Sequence, residues 1–225
     1  MKTIGSTIIM LALASSLFAD NGKELKLASP DGTHEIVFYQ KQVSPAVNEL
    51  CYRVDYKSQP VVNESRAGLE LDNRIWEMAL GVRNLKQPAC WMDNLEVDSV
   101  TYQPETNLTW QPLYGERSSV RDHYRAGTLC LSKKDNSGYR LNIEVRAYNE
   151  GVAFRYFFPE HPKAIFHKVV GDLTEYALPA GTKAWTEQWA QAFFERLNID
   201  DIKHPVERAL TFELPNGKWA ALADA

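Results

Sequence analysis

The chain has 225 residues, 44% hydrophobic and 24% charged, with a formal net charge of −4. That balance excludes a nucleic-acid or anionic-membrane surface, both of which need a concentrated excess of Lys and Arg. The length suits one domain with a sizeable core.

The chain opens on Met1-Lys2, an apolar run from Ile8 to Ala14, and small residues up to Ala19 before Asp20-Asn21. This is the layout of a secretory signal peptide over residues 1–19, with cleavage expected near Ala19 and a mature domain over residues 20–225. The rival, a membrane anchor, is disfavoured because the apolar part is shorter than the roughly 20 residues a span needs. No later stretch is apolar for long enough to span. A periplasmic or secreted bacterial location follows as an expectation.

The mature chain reads as a series of short strands. Ser29-Pro30-Asp31-Gly32 has the residues of a β-turn and precedes a strand from His34 to Tyr39; Leu50 to Tyr56 alternates again. Asp72 to Pro104 reads as loops and edge strands. Asp135-Asn136-Ser137-Gly138 is a hairpin turn that joins Thr128–Leu131 to the next strand. There Leu141, Ile143, Val145 and Ala147 alternate with polar residues, the period-2 signature of a strand with one buried face. Asn149-Glu150-Gly151 turns the chain into Val152–Phe158, rich in aromatics and stopped by Pro159. Further strands are expected at Ala164–Val170, Arg208–Leu214 and Trp219–Leu222, with the turn Pro215-Asn216-Gly217 between the last two. Only Glu187–Leu197 is a candidate helix, without a clean 3.6-residue stripe. The fold class is therefore all-β, an antiparallel sandwich or barrel.

Cys51, Cys90 and Cys130 show no CxxC spacing, so no zinc site is indicated and at most one disulfide is possible, with free thiols the equal alternative. Six Trp and ten Tyr suit sugar binding, because aromatic faces pack on pyranose C–H surfaces, although core packing is the default for any one of them.

The segment Thr109–Tyr124 is not periodic and sets Trp110 and Tyr114 beside Glu116, Arg121, Asp122 and His123. As carboxylates for acid/base chemistry, Glu116 and Asp122 are the tempting pair. The structural alternative, which is favoured, is that both fix the loop through backbone amides and Arg117, Arg121 or Arg125. Taken together, WQPLYGE at 110–116, RDHY at 121–124 and NEGVAFRYFFP at 149–159 resemble the amino-terminal domain of glycoside hydrolase family 97, which contains exported bacterial α-glucosidases and α-galactosidases. The resemblance covers nearly the whole chain after the leader.

The resemblance implies a large antiparallel β-sandwich of the galactose-mutarotase-like super-sandwich type, with a third strand at Ser65–Leu71, a segment similar to the family's short one ending Gly-Leu-Glu-Leu. In the family an aromatic-rich stretch leads to a glutamate that helps bind calcium, the other ligands coming from a catalytic (β/α)8 barrel. Within Ala184–Glu195 the best match is Glu195 and the second Glu187; the bland alternative is a surface carboxylate paired with Arg196. One carboxylate cannot hold Ca2+ alone, since the ion takes 6 to 8 oxygens. A barrel needs about 250 residues, so this sequence is expected to be the sandwich truncated at its C-terminal end, without catalytic residues and with the barrel as missing partner. Three readings remain open: an accessory sandwich shaping a sugar-facing rim with Trp110, Glu116, Arg121 and His123 as candidate rim or loop-fixing residues; a free-standing carbohydrate-binding module with a solvent-open aromatic platform; and a mutarotase-like enzyme using His123 with a carboxylate.

Overall fold

The computed structural model describes residues 23–45, 47–81, 95–133 and 137–223. The proposed signal peptide, Cys90 and Trp91 lie outside these residues, as do Asp135 and Asn136 of the 135–138 turn.

Two four-stranded antiparallel meanders make the sandwich. The first runs β1 (Glu24–Ala28), β2 (His34–Ser44), β3 (Val47–Tyr56), β4 (Gln59–Arg66) in spatial order. After β5 (Leu69–Leu71) and the short helix α1 (Arg74–Ala79), the second meander follows as β6 (Leu95–Trp110), β7 (Val120–Lys133), β8 (Arg140–Tyr148) and β9 (Gly151–Phe157). Then β10 (Val169–Asp172) pairs with β5, and β11 (Lys183–Thr186), β12 (Glu195–Asn198), β13 (Leu210–Glu213) and β14 (Trp219–Leu222) form a further sheet in the order β12-β11-β13-β14. All the pairings are antiparallel.

The alternation of β8 decides how the meanders meet. Leu141, Ile143, Val145 and Ala147 are buried in one cluster with Leu25, Ile36 and Phe38 from the first meander and Leu129 and Leu131 from β7. Each fully buried aliphatic or Phe side chain contributes about 1.5–3 kcal/mol relative to exposure. Phe38 stacks on Tyr52 at 5.3 Å between centroids and meets Phe154 edge-on at 5.1 Å, so an aromatic joint ties β2, β3 and β9. Where β1 crosses β7 the residue is Gly127, because a Cβ there would stand 3.1 Å from Leu25 Cδ1. The last sheet has a small core of its own, Ala184, Phe212 and Leu214.

Several expectations need correction. The strand expected at Ser65–Leu71 is split: Leu69–Leu71 is β5, whereas Ser65 and Arg66 end β4, which begins at Gln59 after Lys57 and Ser58, both at positive φ, 49° and 59°, make a two-residue hairpin turn without the usual Asn or Gly. Pro60 is tolerated because β4 is the last strand of its sheet. The stretch read as loops and edge strands holds the first ten residues of β6, an edge strand among the described residues, but also the short helix α1, which was not expected. Arg121–Tyr124 is not loop but the start of β7. Ala164–Lys168 is not strand, and β10 begins at Val169. Glu187–Phe194 is a looped connection rather than a helix.

The β6–β7 pair outreaches its neighbours. The β7–β8 ladder ends at Tyr124↔Tyr148, while β6–β7 continues to Trp110↔Val120 as a two-stranded arm. Among the described residues β6 is an edge strand, carries Pro104 and is broken by two register irregularities, between Val97 and Ser99 and between Gln103 and Thr106.

Two polar arrangements, one at the surface and one buried, fix the β1–β2 turn and α1. In the β1–β2 turn Asp31 Oδ1 accepts from Ser29 Oγ at 2.6 Å, Thr33 N at 2.9 Å and Thr33 Oγ1 at 2.8 Å, while Gly32 takes φ 72°. These bonds, Ser29's first, hold the Asp31 carboxyl at about 2 against its ordinary 3.8. A depressed folded-state value means stabilisation that is complete above the unfolded value and is lost as pH falls through the folded one. Asp31→Asn is therefore expected to lower the urea midpoint at neutral pH, with the gap to the parent closing as pH falls from about 3.8 towards about 2. At α1, Glu77 is wholly buried and accepts from Tyr139 Oη at 2.6 Å; its Oε2 has no hydrogen-bond partner. Asn73, also buried, accepts from Lys168 N at 2.8 Å and contacts His167 Nδ1 at 3.1 Å.

Candidate functional site

The β11–β12 connection gathers polar and aromatic groups around an open cleft of about 510 Å³. Its geometry starts from the ladder. Thr186 pairs with Glu195, so the loop Glu187–Phe194 leaves and re-enters at one level of the sheet. A turn closes it, with Ala192 N donating to Trp189 O at 2.8 Å, and Glu207 N donates to Glu187 O at 2.8 Å, holding the following segment alongside. On that side Asn198 Nδ2 donates to Asp201 Oδ2 at 2.9 Å, within the short 3-10 turn Ile199–Asp201. The cleft wall thus carries Glu187, Glu195 and Asp201, with His204, and the exposed aromatics Trp189 and Phe193.

Glu195 is the first residue of β12, and its carbonyl accepts from Thr186 Oγ1 at 3.4 Å. The expected pairing with Arg196 is not found. Successive strand residues point to opposite faces, and Arg196 instead ion-pairs with Glu213 and lies over the Trp185 ring, 4.9 Å from its centroid. The Glu195 carboxylate forms no hydrogen bond or ion pair with any described residue, and neither does that of Glu187. Among the described residues no group of three or more His, Cys, Asp or Glu is placed to hold a metal ion. A calcium ion with its 6–8 oxygens would thus find one fitting ligand in Glu195 and would need the others from elsewhere.

The other candidates sit on the β6–β7 arm, on a different sheet. Trp110 ends β6 and is 53% exposed; Leu113 and Tyr114 beyond it are fully or nearly fully exposed. Glu116 is exposed in the connection and takes no partner among the described residues, so it does not fix the loop as favoured from sequence. Two of the three arginines expected to hold it are engaged elsewhere. Arg121 Nε donates to Asn107 Oδ1 at 2.9 Å, and Arg125 Nε donates to Glu105 Oε2 at 3.0 Å. His123 Nε2 shares a 2.7 Å bond with Glu105 Oε1. Bonds from His123 and then Arg125 hold the Glu105 carboxyl below its usual range.

Glu105 is the residue that the sequence reading missed. Nothing in its neighbourhood singles it out; only the register, with Asn107 opposite His123, brings it within diagonal reach across the ladder. The pair does not make an exposed acid/base. Nε2 is occupied by Glu105, and Nδ1 is buried without a partner, so neither ring nitrogen is presented to a sugar. Cys51 and Cys130 are free thiols, and Cys90 lies outside the described residues.

Comparison with known proteins agrees with this architecture. The family described as glycosyl-hydrolase 97 N-terminal matches residues 27–225. A retaining alpha-galactosidase of Bacteroides thetaiotaomicron is 26% identical over 178 residues, covering 79% of this chain and 22% of that protein. A glycoside hydrolase family 97 enzyme of Pseudoalteromonas sp. strain K8, solved in complex with panose and with acarbose, has a TM-score of 0.71 at 24% identity over 86% of this chain and 27% of its own. A beta-arabinopyranosidase gives 0.67 at 16% identity over 88% and 31%. The structural likenesses show the fold, and the chain spans between about a fifth and a third of these relatives.

Proposed function

Since the chain belongs to the glycosyl-hydrolase 97 N-terminal family, we propose that it is the accessory, carbohydrate-binding sandwich of an exported α-glycoside hydrolase, shaping the rim of a sugar site and donating Glu195 to a calcium ion completed by a (β/α)8 barrel. One observation carries this reading. A backbone-anchored Glu195 presents an unpaired carboxylate on a cleft lined by Trp189, Phe193 and further acids, while the neighbouring arginine is drawn to the opposite face. An acid left without an internal partner serves a ligand better than it serves the fold, since exposed carboxylates add little stability by themselves. The same division of labour makes the chain non-catalytic alone, with the acid and the base or nucleophile supplied by the barrel.

The test is calcium binding with and without that partner. A ligand that binds only the folded state stabilises it by RT ln(1 + [L]/Kd), about 0.4 kcal/mol when its concentration equals Kd. The isolated chain is expected to show no melting shift at millimolar Ca2+ beyond that of matched ionic strength. Addition of a family barrel is expected to create a tight site. Tight calcium binding by the isolated chain would place the whole site within the sandwich and refute the shared site.

A further inference from the structure

The sheet that bears Glu195 on one face bears a second feature on the other. Directly opposed residues in an antiparallel ladder share a face. Phe212↔Ala220 and Leu210↔Leu222 lie on the side of the small core, so Glu213↔Trp219, Trp185↔Arg196 and Trp185↔Thr211 lie on the outer side. There Trp185 and Trp219 lean across β13 and stack, with centroids 4.4 Å apart and ring planes 30° apart. Arg196 covers Trp185 from the side and is itself tied to Glu213, so the stack is held before any ligand arrives. Trp219 remains 58% exposed. Lys183 shares this face and has no hydrogen-bond or ion-pair partner among the described residues.

We propose that this outer face is a carbohydrate-binding platform separate from the cleft, on which a pyranose ring of a neutral oligosaccharide packs its C–H face against Trp219, with Lys183 and the Thr211 hydroxyl meeting its hydroxyl groups. The composition of the face selects this occupant. Beyond the two tryptophans and Ala221 its residues are Lys183, Arg196, Asn198, Thr211 and Glu213. That is too little apolar surface for the core of a stable protein contact. A small aromatic patch inside a polar rim complements a sugar, which has apolar C–H faces and a polar periphery. The choice of ligand rests on the carbohydrate-active reading above, while the site uses none of the residues assigned to calcium.

The test titrates the full chain with maltotriose and with raffinose, read by tryptophan fluorescence and calorimetry. Saturable binding of at least one sugar is expected. Trp219→Ala is expected to weaken it by about tenfold, the factor that 1.4 kcal/mol of lost contact corresponds to. Trp219→Tyr keeps an aromatic face and is expected to retain most of the affinity, and Lys183→Ala, at an exposed side chain, to weaken it without touching the sheet. Trp76→Ala, on α1 and in neither site, is expected to leave binding unchanged. Absence of saturation by both sugars overturns the platform, as does a loss on Trp189→Ala with Trp219→Ala unaffected, which would seat the sugar in the cleft. The titrations are run without calcium, so failure of the calcium reading and failure of the platform are separately visible.

Discussion

Glu195→Gln, in the sandwich supplied with a family barrel, is expected to lower calcium affinity and α-glycoside hydrolysis together, by at least about 10- to 100-fold. Removing a partner that merely orients a metal ligand costs that much, and the ligand itself should cost no less. The substitution is nearly isosteric at an exposed strand position whose carboxylate makes no bond within the described fold, so the melting temperature of the isolated chain should not move. Glu187→Gln is the control, since it stands on the same cleft in the preceding loop. Calorimetry with Ca2+ and hydrolysis of nitrophenyl α-glucoside and α-galactoside read both effects. If Glu187→Gln produced the loss and Glu195→Gln did not, the ligand would be the loop acid and the assignment to β12 would fall.

The second large effect concerns stability. Tyr139→Phe removes the hydroxyl that donates to Glu77, leaving a wholly buried carboxylate whose other oxygen already lacks a partner. Stripping the partner from a buried polar group costs about 1–3 kcal/mol, and more for a charged one. The double replacement Glu77→Met with Tyr139→Phe removes both ends of the interaction at similar volume and should recover much of that loss, because replacing both partners by apolar groups can be nearly neutral. Urea melts of the parent, the two single variants and the double variant measure the coupling. A double variant no more stable than Tyr139→Phe alone would show that Glu77 holds α1 by packing rather than through the phenol.

The sheets announced themselves where one face is buried and the other wet. Leu141 to Ala147 alternate because β8 lies over the core, and the turns at 29–32 and 215–217 use the Pro, Asn and Gly that such turns require. The β6 strand gave no such sign. Most of its residues are exposed on both sides, since the arm has no core beneath it, and a strand without a buried face has no period to read. The β3–β4 turn was hidden for a different reason, because Lys57 and Ser58 adopt positive φ without the residues that usually mark it. The candidate site divides along the same line. Glu195 was singled out through the family resemblance of the aromatic run before it, whereas the Glu105–His123 bond and the Trp185–Trp219 stack join residues that only strand register brings together.

The edge of the β6 strand has a consequence for how the molecule keeps company. A sixteen-residue edge would offer a neighbouring molecule a long row of amides and carbonyls for extending the sheet from one chain into the next. Pro104 deletes one donor from that row, and the shifts at Val97/Ser99 and Gln103/Thr106 put its segments out of step with any regular incoming strand. No stretch of regular register on β6 exceeds five residues, which is too short to template fibrillar stacking. These irregularities are expected to keep the edge of β6 from joining one molecule to the next in concentrated solution.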